Sequence, residues 1–332
     1  RPITNNNELI FTNAKVTTLS ANTLINNNKN LTLTNSTLSS EYGYTLEVSE
    51  SNTKLTMDED SYIQTSTKDI YVIRNTSADF IIDGGNIAGR NRVIKNETNA
   101  KLTVKSGNIY SSSAANESIV INTISNSGYL SIEGGKISAS ATEQSQSPTE
   151  TINHGGQDLT ITGGEITCDS IANYATCIND AIGKTTISGG RILATAKGTA
   201  TAFDSDNSNN TVLGGTISAT STNGTARAIQ NGTKITISGG NITSTTNGSS
   251  EATAVRNGYG GYCIINGNAT VRAYSNGGIA SGIYVYNNSG SVISAGDIYG
   301  ETYGLQTNGS TFKSTIGIND TNEDGESILT SV

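Results

Sequence analysis

A short motif returns along almost the whole chain, as LTITGGEIT at 159–167, TTISGGRIL at 185–193 and ITISGGNIT at 235–243. With the second residue of each pair as marker, Gly85, Gly107, Gly135, Gly164, Gly190, Gly215, Gly240, Gly267 and Gly296 follow at intervals of 22, 28, 29, 26, 25, 25, 27 and 29 residues. Ala14, Ser36, Asp60 and Gly317 extend the series outward, giving 12 steps with a mean near 25 residues. A period in this range is the signature of an architecture that stacks one supersecondary unit on the next.

Three residues before the markers stand Phe11, Leu33, Met57, Ile82, Val104, Ile132, Ile161, Ile187, Val212, Ile237, Ile264 and Ile293. Two residues after most of them stand Ile87, Ile109, Ile137, Ile166, Ile192, Ile217, Ile242 and Ile298. The alternation around them has period two, which predicts strands with one buried face. About ten residues upstream runs an apolar-x-polar triplet, as in Leu24/Asn26, Ile73/Asn75, Ile94/Asn96, Ile124/Asn126, Ile229/Asn231, Val255/Asn257 and Val285/Asn287. An amide repeated at one turn can donate and accept along the stack, so Asn26, Asn75, Asn96, Asn126, Asn231, Asn257 and Asn287 read as an asparagine ladder.

These columns predict an all-β chain, a single parallel β-helix (solenoid) of about 12 coils with about 25 residues per coil. Stacked at about 4.8 Å, the coils would make a rod ~60 Å long. The solenoid is expected over 1–318, with 319–332 a polar C-terminal tail or the start of a linker. Composition fits: only 34% of 332 residues are hydrophobic and 14% charged, with 37 Gly, 2 Pro and no Trp. That supply cannot fill a spherical core but suffices for one a single coil wide.

A net charge of −8 without a basic run argues against nucleic acid, and no apolar stretch is long enough to span a membrane. The chain begins at Arg1 without a signal peptide, which fits an excised or mature fragment. Cys168, Cys177 and Cys263 match no zinc spacing. Cys168 and Cys177 could be bridged if neighbours within a coil, the blander reading being small buried thiols.

Length varies on one side of each coil, between the marker and the next polar-column residue, with the longest loops about Ser111–Ser118, Ala139–Glu150 and Ala269–Ser281. Solenoids gather insertions on the face that binds. Tyr crowds the last quarter, and Tyr259, Tyr262, Tyr274, Tyr284, Tyr286 and Tyr299 are the candidate ligand contacts, flat rings suited to stacking on sugars.

Catalytic sets are meagre. His154, Asp180 and Ser205 share one column, but stacking order puts the carboxylate in the middle, where a hydrolytic triad needs the imidazole. Charges flanking the glycine pairs alternate in sign (Lys105, Glu133, Lys136, Glu165, Arg191), unlike the grouped acids and single base of a polysaccharide lyase. No cofactor is called for beyond calcium, for which Asp320, Asn322 and Asp324 resemble the start of a calcium loop whose twelfth position is Ser331 instead of Glu. Asp58-Glu59-Asp60 beside Glu50 is a weaker acidic set.

The Ile-x-Gly-Gly-x-Ile coils at 161–166, 187–192 and 237–242 resemble right-handed parallel β-helix proteins secreted by bacteria, above all the adhesin and polysaccharide-binding members of the pectate-lyase-like superfamily. The resemblance implies a right-handed β-helix, an extracellular or surface-anchored location through parts outside this chain, and a glycan or cell-surface protein as partner. It also implies Asp-Gly calcium pairs in the second strand, where this chain has Ala228-Ile229 and Ala254-Val255. The expected function is non-enzymatic adhesion or carbohydrate binding through the variable-loop face. The alternatives are a structural stalk or surface-layer subunit assembling end to end, and a polysaccharide lyase or hydrolase.

Overall fold

A computed structural model describes residues 2–316 apart from 77–78, 114–119, 142–147, 172, 207–208, 259, 287–288 and 309–312. Asn287, Tyr259 and the acidic set Asp320, Asn322 and Asp324 therefore lie outside the described residues, as does the tail 319–332.

Every regular element among the described residues is a β-strand, and every strand pairing is parallel. Each turn contributes three strands, so the rod has three faces. Face 1 stacks Ile25, Leu46, Ile73, Ile94, Ile124, Ile152, Ile178, Phe203, Ile229, Val255, Ile283 and Leu305. Face 2 stacks Leu31, Leu55, Ile82, Val104, Ile132, Ile161, Ile187, Val212, Ile237, Ile265 and Ile293. Face 3 runs from Val16 through Leu38, Ile63, Ile87 and Ile109 to Val271 and Ile298. The result is a single parallel β-solenoid of about 11 turns with about 26 residues per turn.

The three apolar columns meet in one continuous core. Like stacks on like because β-branched side chains fit a pleated surface and identical neighbours repeat the same rotamer. Burying each such side chain is worth about 1.5–3 kcal/mol. Where face 3 meets face 1 the core thins to small residues: Ala139, Cys168, Ala194, Ala219, Ser244 and Ala273 on one side, and Ala175, Ala200, Ala226, Ala252 and Ala280 on the other. This narrow corner is why so few large hydrophobic residues suffice.

The bend into face 3 depends on left-handed backbone. Gly164, Gly190 and Gly215 have φ of 80°, 78° and 88°, and a Cβ on Gly190 would lie 2.7 Å from Gly163 O one turn away. In the first two turns Asn13 and Asn35 take this conformation, at φ of 52° and 45°, and their amides bond to each other at 2.7 Å. Hence the repeat is faint there although the turn is the same.

The observed register corrects four sequence assignments. Asn27, fully buried, occupies the ladder slot beside Ile25, so Asn26 points outward and pairs with Glu47. At the other end Val285 pairs with Asn257 in that slot, which moves the triplet to Ile283/Val285. On face 2, Ile82 lies over Leu55 instead of Met57, and Ile265 replaces Ile264 as the inward residue.

Candidate functional site

A groove of about 830 Å³ lies on the outer side of face 3, across the first five turns. Its floor is one outward row in register, Thr17, Ser39, Gln64, Ala88 and Tyr110, each the residue after an inward apolar one. Lys15, Leu19, Glu41, Arg90, Ser66 and Ser112 line its sides. Thr17 Oγ1 and Ser39 Oγ share a hydrogen bond of 2.8 Å, so the hydroxyls stand at the spacing of the turns. Partial burial pushes the Tyr110 phenol upward, with Tyr62 nearby. The floor combines hydroxyl, amide and one aromatic face, with small Ala88 and Gly89 leaving room between them. Four steps of about 4.8 Å give the row a length of ~19 Å.

This groove falls within the arc of variable length, but sequence reasoning did not single out its residues. The signal was present: continuing one position past Val16, Leu38, Ile63, Ile87 and Ile109 reads off the floor.

The candidate tyrosines are distributed over three faces and do not form one site. Tyr284 and Tyr286 are 6.0 Å apart on face 1, with the Arg256 guanidinium 5.4 Å from the Tyr286 ring. Tyr284 is nearly buried, at 9% exposure, and its hydroxyl accepts from Asn308 Nδ2 at 3.2 Å. Tyr274 and Tyr299 pair at 5.8 Å on face 3, and Tyr262 stands alone on face 2 between Lys234 and Gly290. Val285 points inward as expected, but the Tyr284 ring lies against its neighbours with little face exposed.

Upstream on face 1 an acidic group is already engaged. Glu150 accepts from Asn153 at 2.9 Å and from Asn179 at 3.0 Å, and Asn122, with Nδ2 turned to the carboxylate, donates at 2.8 Å. Two turns on, burial and then the charge of Asp206 raise Asp204 to about 6, against the pull of Arg227. These amides satisfy a carboxylate as a lattice of surface hydrogen bonds.

In the polar column, Asn75 donates to Asn96 at 2.7 Å, Asn96 to Asn126 at 2.6 Å, and Asn231 to Asn257 at 2.6 Å. His154, Asp180 and Ser205 interrupt the amides, and Asn210 Nδ2 bridges Asp180 Oδ2 at 2.5 Å and Ser205 Oγ at 2.8 Å. The imidazole therefore has no contact route to the hydroxyl, and the set is not a triad.

Among the described residues no three His, Cys, Asp or Glu side chains are gathered to hold a metal ion. The acidic Asp58 caps a turn, accepting from Ser61 Oγ at 2.5 Å and Asn35 N at 2.9 Å. The three cysteines are free and buried. Among the described residues no helix is long and apolar enough to cross a membrane. No family model, curated protein or solved structure matches the chain.

Proposed function

We propose that the protein is a non-enzymatic, extracellular carbohydrate-binding rod that holds an extended polysaccharide strand along the face 3 groove. The observation that carries the reading is the floor row Thr17, Ser39, Gln64, Ala88 and Tyr110, three polar side chains and a small gap at the spacing of the turns, closed by an aromatic ring. A repeating polyol fits such a floor, because successive rings can meet the hydroxyls of Thr17 and Ser39 and the Gln64 amide while an apolar sugar face lies on Tyr110. Lys15 and Arg90 favour a glycan bearing carboxylates or sulfates.

The test is a glycan array read with the intact protein, Tyr110→Ala and Gln64→Ala, with Tyr284→Ala as control. Loss of binding in the groove variants with binding retained in the control is the expected pattern. No binding to any glycan, or equal binding by the groove variants, rejects the reading.

End-to-end assembly is a second reading, favoured by the first turn. Its strands leave Ile3 and Ile10 exposed at 37% and 56%, with Leu9, Phe11 and Val16 only partly covered. Light scattering that shows a monomer at every concentration rejects it.

A further inference from the structure

The polar column has a direction, and that direction fixes a proton. Besides bonding along the stack, Asn75, Asn96 and Asn126 each donate from Nδ2 to a backbone carbonyl, namely Lys101 O at 3.1 Å, Tyr129 O at 3.0 Å and Gly128 O at 3.0 Å. The carbonyls decide which end of each amide is nitrogen. Asn126 therefore presents an N–H to His154 Nδ1, 2.7 Å away, and Nδ1 must be the acceptor. A ring accepting at Nδ1 is neutral and carries its hydrogen on Nε2.

That N–H faces the next turn, where Asp180 Oδ1 stands 3.8 Å off. Both side chains are fully buried, and neither Nε2 nor Oδ1 has a hydrogen-bond partner. The Thr185 hydroxyl lies against the same carboxyl. Between Asn75, Asn96 and Asn126, and between Asn231 and Asn257, the column closes at 2.6–2.7 Å, so the 3.8 Å step is a break in it. A metal ion bridging the two would need the Nε2 lone pair, which moves the hydrogen to Nδ1 against the Asn126 N–H. An imidazolium meets the same clash.

The groups facing the pair are acidic or neutral: Asp158 beside His154, and Asp204, Asp206, Asn210 and Thr185 beside Asp180. Among the described residues no Lys or Arg forms an ion pair with Asp180. A carboxylate in that setting is a buried charge without a cation, which is costly.

We propose that His154 and Asp180 are a buried dyad binding one proton, which resides on the Asp180 carboxyl. A solvent proton adds to the carboxylate and no other bond changes. The acid's carbonyl oxygen then accepts from His154 Nε2–H, and its O–H is free to donate to Thr185 Oγ1. Burial acts the same way on both members, holding His154 down at about 4 and Asp180 up at about 7. The dyad carries the run Asn75, Asn96 and Asn126 on by one further turn.

His154 is the chain's only histidine, so ¹⁵N-histidine labelling yields one imidazole whose tautomer NMR reads directly. The expected result at pH 5 is a neutral ring with hydrogen on Nε2, where a free imidazole is mostly charged. Between pH 6 and 8 the ring nitrogens should show one step, which disappears in Asp180→Asn. A doubly protonated ring at pH 5, hydrogen on Nδ1, or a step that survives in Asp180→Asn overturns the proposal. The first two readouts use the unmodified protein and do not depend on the variant folding.

Discussion

Asn96 donates from Nδ2 to Asn126 Oδ1 across 2.6 Å, joining residues 30 apart in sequence inside a column closed to solvent. The same nitrogen reaches Tyr129 O, and Asn96 Oδ1 accepts from Asn75. One side chain thus satisfies groups in three successive turns. Asn96→Ala leaves a buried donor on Asn75 and buried acceptors on Asn126 and Tyr129, at about 1–3 kcal/mol for each group left unpaired. Because turns contact only their neighbours, hydrogen exchange should quicken near residues 75, 96 and 126 and stay unchanged near 231 and 257. Uniform loosening of the whole rod would show that the ladder is not local.

The Gly190 turn makes a sharper case. Its φ of 78° disfavours any Cβ, and the added carbon would sit 2.7 Å from Gly163 O, a backbone atom that cannot swing aside. Gly190→Ala should therefore cost more than the ~1 kcal/mol of strained backbone alone. Urea titration compared with Gly277→Ala, where φ is 97° and a Cβ meets nothing within 4 Å, isolates the close approach.

The columns were legible in sequence because a solenoid repeats its chemistry at a near-constant interval, and every turn between residues 73 and 257 keeps phase. Phase failed where letters are degenerate. Asn26-Asn27-Asn28 offers three equivalent candidates, and only burial selects Asn27. Val285 could replace an amide because its neighbour Asn257 turns instead to the carbonyls of Gly261 and Gly290. The groove was not legible for a different reason. Outward residues carry no burial constraint, so Thr17, Ser39, Gln64, Ala88 and Tyr110 share a position but no residue type.

Stability against pH separates the two halves of the dyad. His154 is depressed from 6.5 to about 4, so its contribution is lost as pH falls through that window. Asp180 is raised from 3.8 to about 7, so its contribution is present in acid and lost as pH rises towards 7. Between pH 4 and 6.5 the two slopes oppose each other and the unmodified protein should change little. Asp180→Asn should then lose stability on acidification and His154→Asn on alkalinisation, each by up to about 1.4 kcal/mol per pH unit. Denaturant melts at pH 4.5, 5.5 and 6.5 read this directly, and parallel profiles for both variants would contradict it.

Thiol chemistry should report the closed core. Burial pushes Cys263 up to about 12 and Cys177 well above its usual range, with the Cys168 thiol adding to the effect on Cys177. Reactivity follows thiolate and access, and here both are suppressed. At pH 8 a disulfide reagent should label none of the three cysteines in the folded protein and all three after denaturation. Labelling of only one after denaturation would show that Cys168 and Cys177 are bridged.

Affinity should depend on ligand length in a way the groove dictates. If the floor row holds the glycan, each added sugar gains contacts only while it still lies over Thr17 through Tyr110. That row is ~19 Å long at about 4.8 Å per step. Calorimetry with a size-graded oligosaccharide series should show affinity rising until the chain spans that length and level thereafter. Arg90→Gln should lower the plateau for anionic chains and leave neutral ones unchanged, since its side chain lines the groove wall. A response that keeps rising beyond ~19 Å, or is flat from the shortest sugar, would place binding elsewhere on the rod.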